Sequence, residues 1–297
     1  MSWRQAALNN WLRRTERPQL ARGTPEELRR NLAIKSRLFF HPPLFSRIRR
    51  DAAGGVPGLS VRGPGAKGAA RILYLHGGGY VFGSARTHSA MVAHLSKRCG
   101  LPAFLPDYRL APDHPFPAAV DDALAAYRAL ADQPGGVVIG GDSAGGGLAL
   151  VLLAEILRLG LPKPLGVFAF SPLTDLTFSG DSFYLNAESD VVLPAERAGE
   201  MAQMYLSGAY AEDPRVSPLY ADFTGGPPVW LTAADTEVLL DDTTRMTSHL
   251  NFHGVPVTEI IETDLPHVWP FFHGILPQAG ATLDAVAAWI RPLAASR

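Results

Sequence analysis

The 297-residue sequence has a single cysteine, Cys99, and only four lysines against 23 arginines. One thiol cannot close an intrachain disulfide, and Ser96 to Gly100 has no Cys-x-x-Cys or Cys/His spacing for metal or redox work. Cys99 therefore reads as a small apolar residue at a helix end. No excess of either charge exists: 27 basic and 28 acidic residues leave a net charge of -1, with no global basic field to hold nucleic acid. Long apolar runs are missing too. The longest, Ala144 to Ala154, stops at Glu155, short of the roughly 18 residues a membrane span needs. Arg4, Gln5, Asn9 and Asn10 interrupt Met1 to Leu12, which lacks the apolar centre of a signal peptide. A cytoplasmic protein is expected, with no nucleic-acid partner and no stable membrane insertion. Hydrophobic residues at 47% with 29 Gly and 25 Pro indicate a globular, turn-rich chain able to bury a large core.

Charge is uneven along the chain. Residues 1 to 50 hold eleven arginines and Lys35 against Glu16, Glu26 and Glu27. Helical signals crowd there: Trp3, Ala7, Leu8, Trp11 and Leu12 share a face, and Thr24-Pro25-Glu26-Glu27 is a capping box with proline at the first helical position. Leu28, Leu32 and Phe39 continue an apolar face behind it. Two amphipathic helices are expected over 1–50, with the Gly/Pro-rich stretch Gly54 to Gly68 dividing them from a domain over 51–297. A solvated face is the ordinary reading of such charge, and an anionic-lipid surface is the sharper one.

Short apolar runs at Arg71 to His76, Leu101 to Tyr108, Val137 to Gly141, Leu165 to Phe170, Pro228 to Ala233 and Val255 to Ile261 read as strands. Helical periodicity fills Ala85 to Cys99, Ala118 to Ala131, Ala144 to Leu159, Leu239 to Phe252 and Ala279 to Ile290. This alternation predicts an α/β fold, a mostly parallel sheet with helices on both faces, and chemistry at the carboxyl ends of the strands. The stretch Ser171 to Gly226 breaks the rhythm and reads as an excursion over that end of the sheet.

After Val137-Val138-Ile139 comes Gly140-Gly141-Asp142-Ser143-Ala144-Gly145-Gly146, a G-x-S-x-G between a strand and a helix. A serine on so sharp a turn stands above the sheet, and the glycines remove side chains that would collide there. Neither glycine cluster matches a phosphate loop. The second, His76-Gly77-Gly78-Gly79-Tyr80, lets backbone N–H groups approach a developing oxyanion; Gly77 and Gly78 supply two donors and Ala144 a third. His76 precedes the serine and is expected to brace the loop. A serine nucleophile needs a base and the base an orienting carboxylate. His267, in the loop after the last strand, is the expected base. Asp235, directly off the strand Pro228 to Ala233, is the expected carboxylate, with Glu237, Asp241 and Asp242 as alternatives that otherwise cap or solvate the next helix. His249 and His253 have the spacing of metal ligands but no third ligand or H-E-x-x-H glutamate, so no metal is expected.

With these residues the chain resembles the hormone-sensitive-lipase-like esterases, the bacterial type IV lipolytic family of the α/β-hydrolase superfamily. The matching motifs are His76 to Tyr80, Asp107-Tyr108-Arg109-Leu110-Ala111-Pro112, Phe116-Pro117-Ala118-Ala119, Gly141 to Gly146, Ser171-Pro172-Leu173-Thr174-Asp175, Asp213-Pro214 and Ser217-Pro218-Leu219, then Asp235 and His267. The resemblance implies a Ser143/His267/Asp235 triad, an oxyanion hole of Gly77, Gly78 and Ala144 supported by His76, Gly79 and Asp142, and a cap from 1–50 with help from 180–210. It also implies cofactor-free hydrolysis of small-molecule esters with short to medium acyl groups. Amidases and formamidases use the same triad; receptors on this fold lose the histidine, which His267 disfavours. Two departures stand out: Asp235-Thr236-Glu237-Val238-Leu239 where the family often has Asp-Pro-Leu, and His267-Val268-Trp269 where it has His-Gly-Phe, putting bulk beside the base. An edge strand or the last helix leaves room for a homodimer without requiring one.

Overall fold

A strand covered on both faces has no polar side, and four runs meet that condition along their whole length: Ala103–Pro106, Val137–Asp142, Gly166–Phe170 and Val229–Ala234. They are interior strands of an eight-stranded sheet in the computed structural model, which describes residues 2–295. Met1 and residues 296–297, at the outer ends of the expected division, lie outside it. The strands are β1 (Arg47–Ala53), β2 (Val56–Arg62), β3 (Arg71–Leu75), β4 (Ala103–Pro106), β5 (Val137–Asp142), β6 (Gly166–Phe170), β7 (Val229–Ala234) and β8 (Val257–Glu262), in the order β1-β2-β4-β3-β5-β6-β7-β8. β2 is antiparallel to both neighbours, and all other pairings are parallel.

The helices are α1 (Trp3–Arg22), α2 (Pro25–Phe39), α3 (Ala85–Cys99), α4 (Ala118–Ala131), α5 (Ala144–Arg158), α6 (Ser182–Leu185), α7 (Ala195–Leu206), α8 (Leu240–Phe252) and α9 (Pro277–Ala295). Alternation along β3 divides the core: Leu73 and Leu75 join α5 residues such as Leu148 and Leu152 on one face, while Ile72 and Tyr74 join Val92 of α3 and Val286 of α9 on the other. Among the described residues no helix is long and apolar enough to cross a membrane. Cys99 is buried at the end of α3, where burial pushes its thiol up to about 12.

Two expectations about the N-terminal part are corrected. The division at residue 50 falls inside β1, and Gly54 to Gly68 is no spacer. Gly54 and Gly55, both at positive φ, turn the β1–β2 hairpin, and Leu59 and Val61 of β2 are buried in the core. Glycine there serves a turn within the sheet.

The expected capping box is formed: Thr24 Oγ1 accepts from the Glu27 amide at 3.3 Å while Glu27 accepts from the Thr24 amide at 3.0 Å. Leu8, Leu12, Leu20 and Leu28 of α1 and α2 pack on Val191, Val192, Leu265 and Trp269. The face expected for α1 is found: Trp3, Ala7, Leu8, Trp11 and Leu12 all line one cavity, with Leu8 and Leu12 buried and Trp3 and Trp11 exposed at its rim. Arginines stitch α1 to the excursion after β6: Arg17 donates to the Ala187 carbonyl at 2.7 Å, and Arg197 to the Ala21 and Gly23 carbonyls.

Candidate active site

Ser143 is the one residue between β5 and α5, and its backbone is held at φ 53°, ψ -126°. That strained turn survives because its neighbours lack side chains. A Cβ on Gly145 would lie 2.2 Å from the Leu75 carbonyl oxygen and 2.3 Å from that of His76; one on Gly141 would lie 2.2 Å from the Gly145 carbonyl oxygen. All three obstacles are backbone. Gly145→Ala is expected to cost about 3 kcal/mol by forcing β3 and α5 apart. Thermal denaturation checks this, and an unchanged Tm would refute it.

The loop after β8 brings His267 to the serine. Ser143 Oγ lies 3.0 Å from His267 Nε2, and His267 Nδ1 lies 2.5 Å from Glu237 Oε2. A carboxylate only accepts, so Nδ1 carries the proton and Nε2 is free to accept from the serine. Glu237 is 1% exposed and itself fixed: Oε1 accepts from the Ser171 hydroxyl at 2.8 Å and the Ala234 amide at 2.7 Å. Burial by itself would lower the His267 pKa, but the adjacent Glu237 carboxylate, with Asp190 and Asp142 behind it, raises it above 6.5.

Asp235, the expected orienting residue, does not reach the histidine. It is exposed and accepts from the Asp264 amide at 2.7 Å. β7 runs to Ala234, one residue beyond the expected end, and a turn closed by the Glu237 amide on the Ala234 carbonyl swings residue 237 back over the strand end. Asp235 sits on the outside of that turn. The signal was in the departure already noted: setting the family's Asp-Pro-Leu on Glu237-Val238-Leu239 puts the acid at 237. Asp241 and Asp242 also lie away from His267, accepting from the Ser182 amide and from the Thr174 and Asp175 amides. Trp269 does not crowd the base. Its ring is fully buried, donating to Thr282 at 2.8 Å, while Val268 lines the cavity.

Gly77 and Gly78 face the same cavity as Ser143 and His267, and Ala144 begins α5 behind the serine. A Cβ on Gly77 would stand 2.2 Å from Asp142 Oδ2; Gly78 has φ 124° and would meet the Phe82 carbonyl oxygen at 2.2 Å. The loop can approach Ser143 only as bare backbone. His76 bonds the Gly77 carbonyl at 2.9 Å and stacks on Tyr108 at 4.2 Å. Burial beside His88 holds its pKa at about 3, so the ring is a neutral brace. Asp142 accepts from the Tyr74 hydroxyl at 2.8 Å and lies 3.4 Å from His88 Nε2. Burial would raise its pKa, and these partners outweigh it. Gly79 lies under Met201 of α7.

Nothing in the sequence pattern marks Asp190, yet it is 2% exposed beside the site. Its Oδ1 accepts from the Val192 and Leu193 amides, and its Oδ2 from the Val238 amide at 3.0 Å. One carboxylate thus joins the cavity wall to the residue after Glu237. The cavity holds about 690 Å³ under α1, α2 and α7, with walls mostly apolar. Among the described residues no three His, Cys, Asp or Glu side chains group as metal ligands; His249 bonds the Ala221 carbonyl, and His253 lies 3.0 Å from Asp222.

Residues 72–271 match the family model described as alpha/beta hydrolase fold. An acetyl-hydrolase of Streptomyces hygroscopicus is 36% identical over 231 residues, 77% of each chain. An esterase of Acinetobacter venetianus is 32% identical over 290 residues, 96% of this chain and 95% of its own. The crystal structure of an esterase from the bacterial hormone-sensitive lipase family matches with a TM-score of 0.94 and 35% identity over 99% of both chains.

Proposed function

The chain belongs to the α/β-hydrolase family and, within it, to the hormone-sensitive-lipase-like esterases, and from that premise we propose how it acts as a serine carboxylic-ester hydrolase. Ser143 Oγ attacks the ester carbonyl carbon as its proton passes to His267 Nε2. Glu237 holds the imidazole in the accepting tautomer and stabilises the imidazolium. The carbonyl oxygen, now an oxyanion, is met by the N–H groups of Gly77, Gly78 and Ala144. Collapse breaks the ester C–O bond, and His267 returns the proton to the departing alkoxide. A water then gives its proton to His267 and attacks the acyl-enzyme, releasing the acid and restoring the serine. The line Ser143 Oγ to His267 Nε2 to Glu237 Oε2, at 3.0 and 2.5 Å, carries this reading.

The substrates are small-molecule esters with short to medium acyl groups, which an apolar cavity of about 690 Å³ supports. α1 and α2, with α7 from the excursion, form the cap over it. The test is hydrolysis of p-nitrophenyl esters from acetate to palmitate, with paired amides of the same acyl groups. A maximum at butyrate to octanoate, with amides far slower, is expected. Fluorophosphonate labelling without ester turnover would overturn the ester reading and leave an amidase.

His267 must be neutral to accept the serine proton, and its pKa is raised. Activity is therefore lost as pH falls through a value above the ordinary 6.5. The acid limb of kcat/KM against pH reads this directly. A limb at or below 6.5 would contradict the ion pair with Glu237.

A further inference from the structure

Phe40 is packed on Phe271, their ring centroids 4.4 Å apart, and β1 begins at Arg47. Between them the chain makes a closed turn: the Ser46 amide donates to the Pro43 carbonyl at 3.1 Å and the Ser46 hydroxyl to the same oxygen at 2.6 Å. The two central residues are Leu44 and Phe45, 82% and 91% exposed. Phe45 stands at φ 65°, a position where glycine or asparagine is the usual choice. Two large apolar side chains on a strained turn tip do nothing for the core. Leu38 and Phe39, at the end of α2, are exposed as well. Phe39 also lines the cavity with Trp3 and Trp11. Phe39 and Leu44 are five positions apart, a reach of at most about 18 Å.

The charge around this apolar set is mostly positive, and the nearest acid in sequence, Asp51, accepts from the Ser60 hydroxyl. Arg37, Arg47, Arg49 and Arg50 are exposed. Of the three acids in the first 50 residues, Glu16 pairs with Lys35, Glu27 accepts from the Thr24 amide, and Glu26 is exposed in the first turn of α2, at the far end of that helix from Phe39. We propose that this surface docks peripherally on an anionic phospholipid bilayer, Leu44 and Phe45 entering the headgroup–acyl boundary while the arginines meet the lipid phosphates. Charge complementarity selects lipid over a second copy of the chain, because a two-fold contact would set these arginines against each other. Docking brings the cavity rim near a phase in which apolar esters concentrate.

The test is flotation of the full chain with phosphatidylcholine vesicles, with and without phosphatidylglycerol. The wild type is expected to float only with the phosphatidylglycerol vesicles, less so as salt rises. Leu44→Ser with Phe45→Gly should weaken flotation at least about tenfold, since it removes the inserted apolar groups. Glycine suits the positive φ, so the fold is kept, and hydrolysis of soluble p-nitrophenyl acetate should stay within about twofold. This readout is independent of vesicle binding, so loss of esterase activity and loss of docking are separable. Absence of flotation with either vesicle, or equal flotation of wild type and variant, overturns the proposal. A wild-type dimer that the double variant dissolves, seen by light scattering, also overturns it and assigns the surface to a second copy.

Discussion

Turnover of p-nitrophenyl butyrate falls about 10⁴-fold in Glu237→Gln and stays within about twofold of wild type in Asp235→Asn. Proton placement on His267 sets the difference. If the glutamine turns its oxygen to His267, its NH₂ group faces the Ser171 hydroxyl and the Ala234 amide, and the latter is a donor that then has no acceptor. If it turns its NH₂ group to His267, Nδ1 must be the acceptor and Nε2 carries the proton toward Ser143. The base is then lost. In Asp235→Asn the side-chain oxygen still accepts from the Asp264 amide, so the turn keeps its shape. Steady-state kinetics on the two purified variants decide between the carboxylates, and a large loss in Asp235→Asn alone would return the role to that residue.

Ser143→Ala lowers kcat by about 10⁶ and abolishes fluorophosphonate labelling, while KM changes little. Nothing in the turn depends on the hydroxyl: the backbone bonds from the Ser143 amide to the Phe170 carbonyl and from the Gly147 amide to the Ser143 carbonyl remain. The cavity walls are also unchanged. Residual rate above water then measures what the glycine-loop donors contribute without a nucleophile. A loss of tenfold or less would mean that another group attacks the carbonyl.

The other site residues differ in how far sequence could place them. Asp142 follows the expected motif, yet its partners Tyr74 and His88 come from β3 and α3, and no local pattern joins the three. Asp190 is further out of reach. It lies in the excursion that lacked strand-helix rhythm, and its carboxylate matters only because Val238 arrives beside it from β7 and the turn that follows. The N-terminal helices show the same limit. Their caps and apolar faces are local and legible, but what those faces pack on, Val191, Val192, Leu265 and Trp269, comes from segments distant in sequence.

By itself the sequence determined the serine elbow, the glycine loop, the strand-helix alternation and the histidine after the last strand. Each is written in contiguous residues, because turn sterics and hydrophobic period act over a few positions. Only the tertiary structure decided which carboxylate bonds His267. Asp235 and Glu237 are two residues apart on one turn, and which of them meets His267 is set by where β7 ends, by the turn direction, and by Ser171 and Ala234 fixing the longer side chain. Those are contacts between segments distant in sequence, and no local pattern carries them.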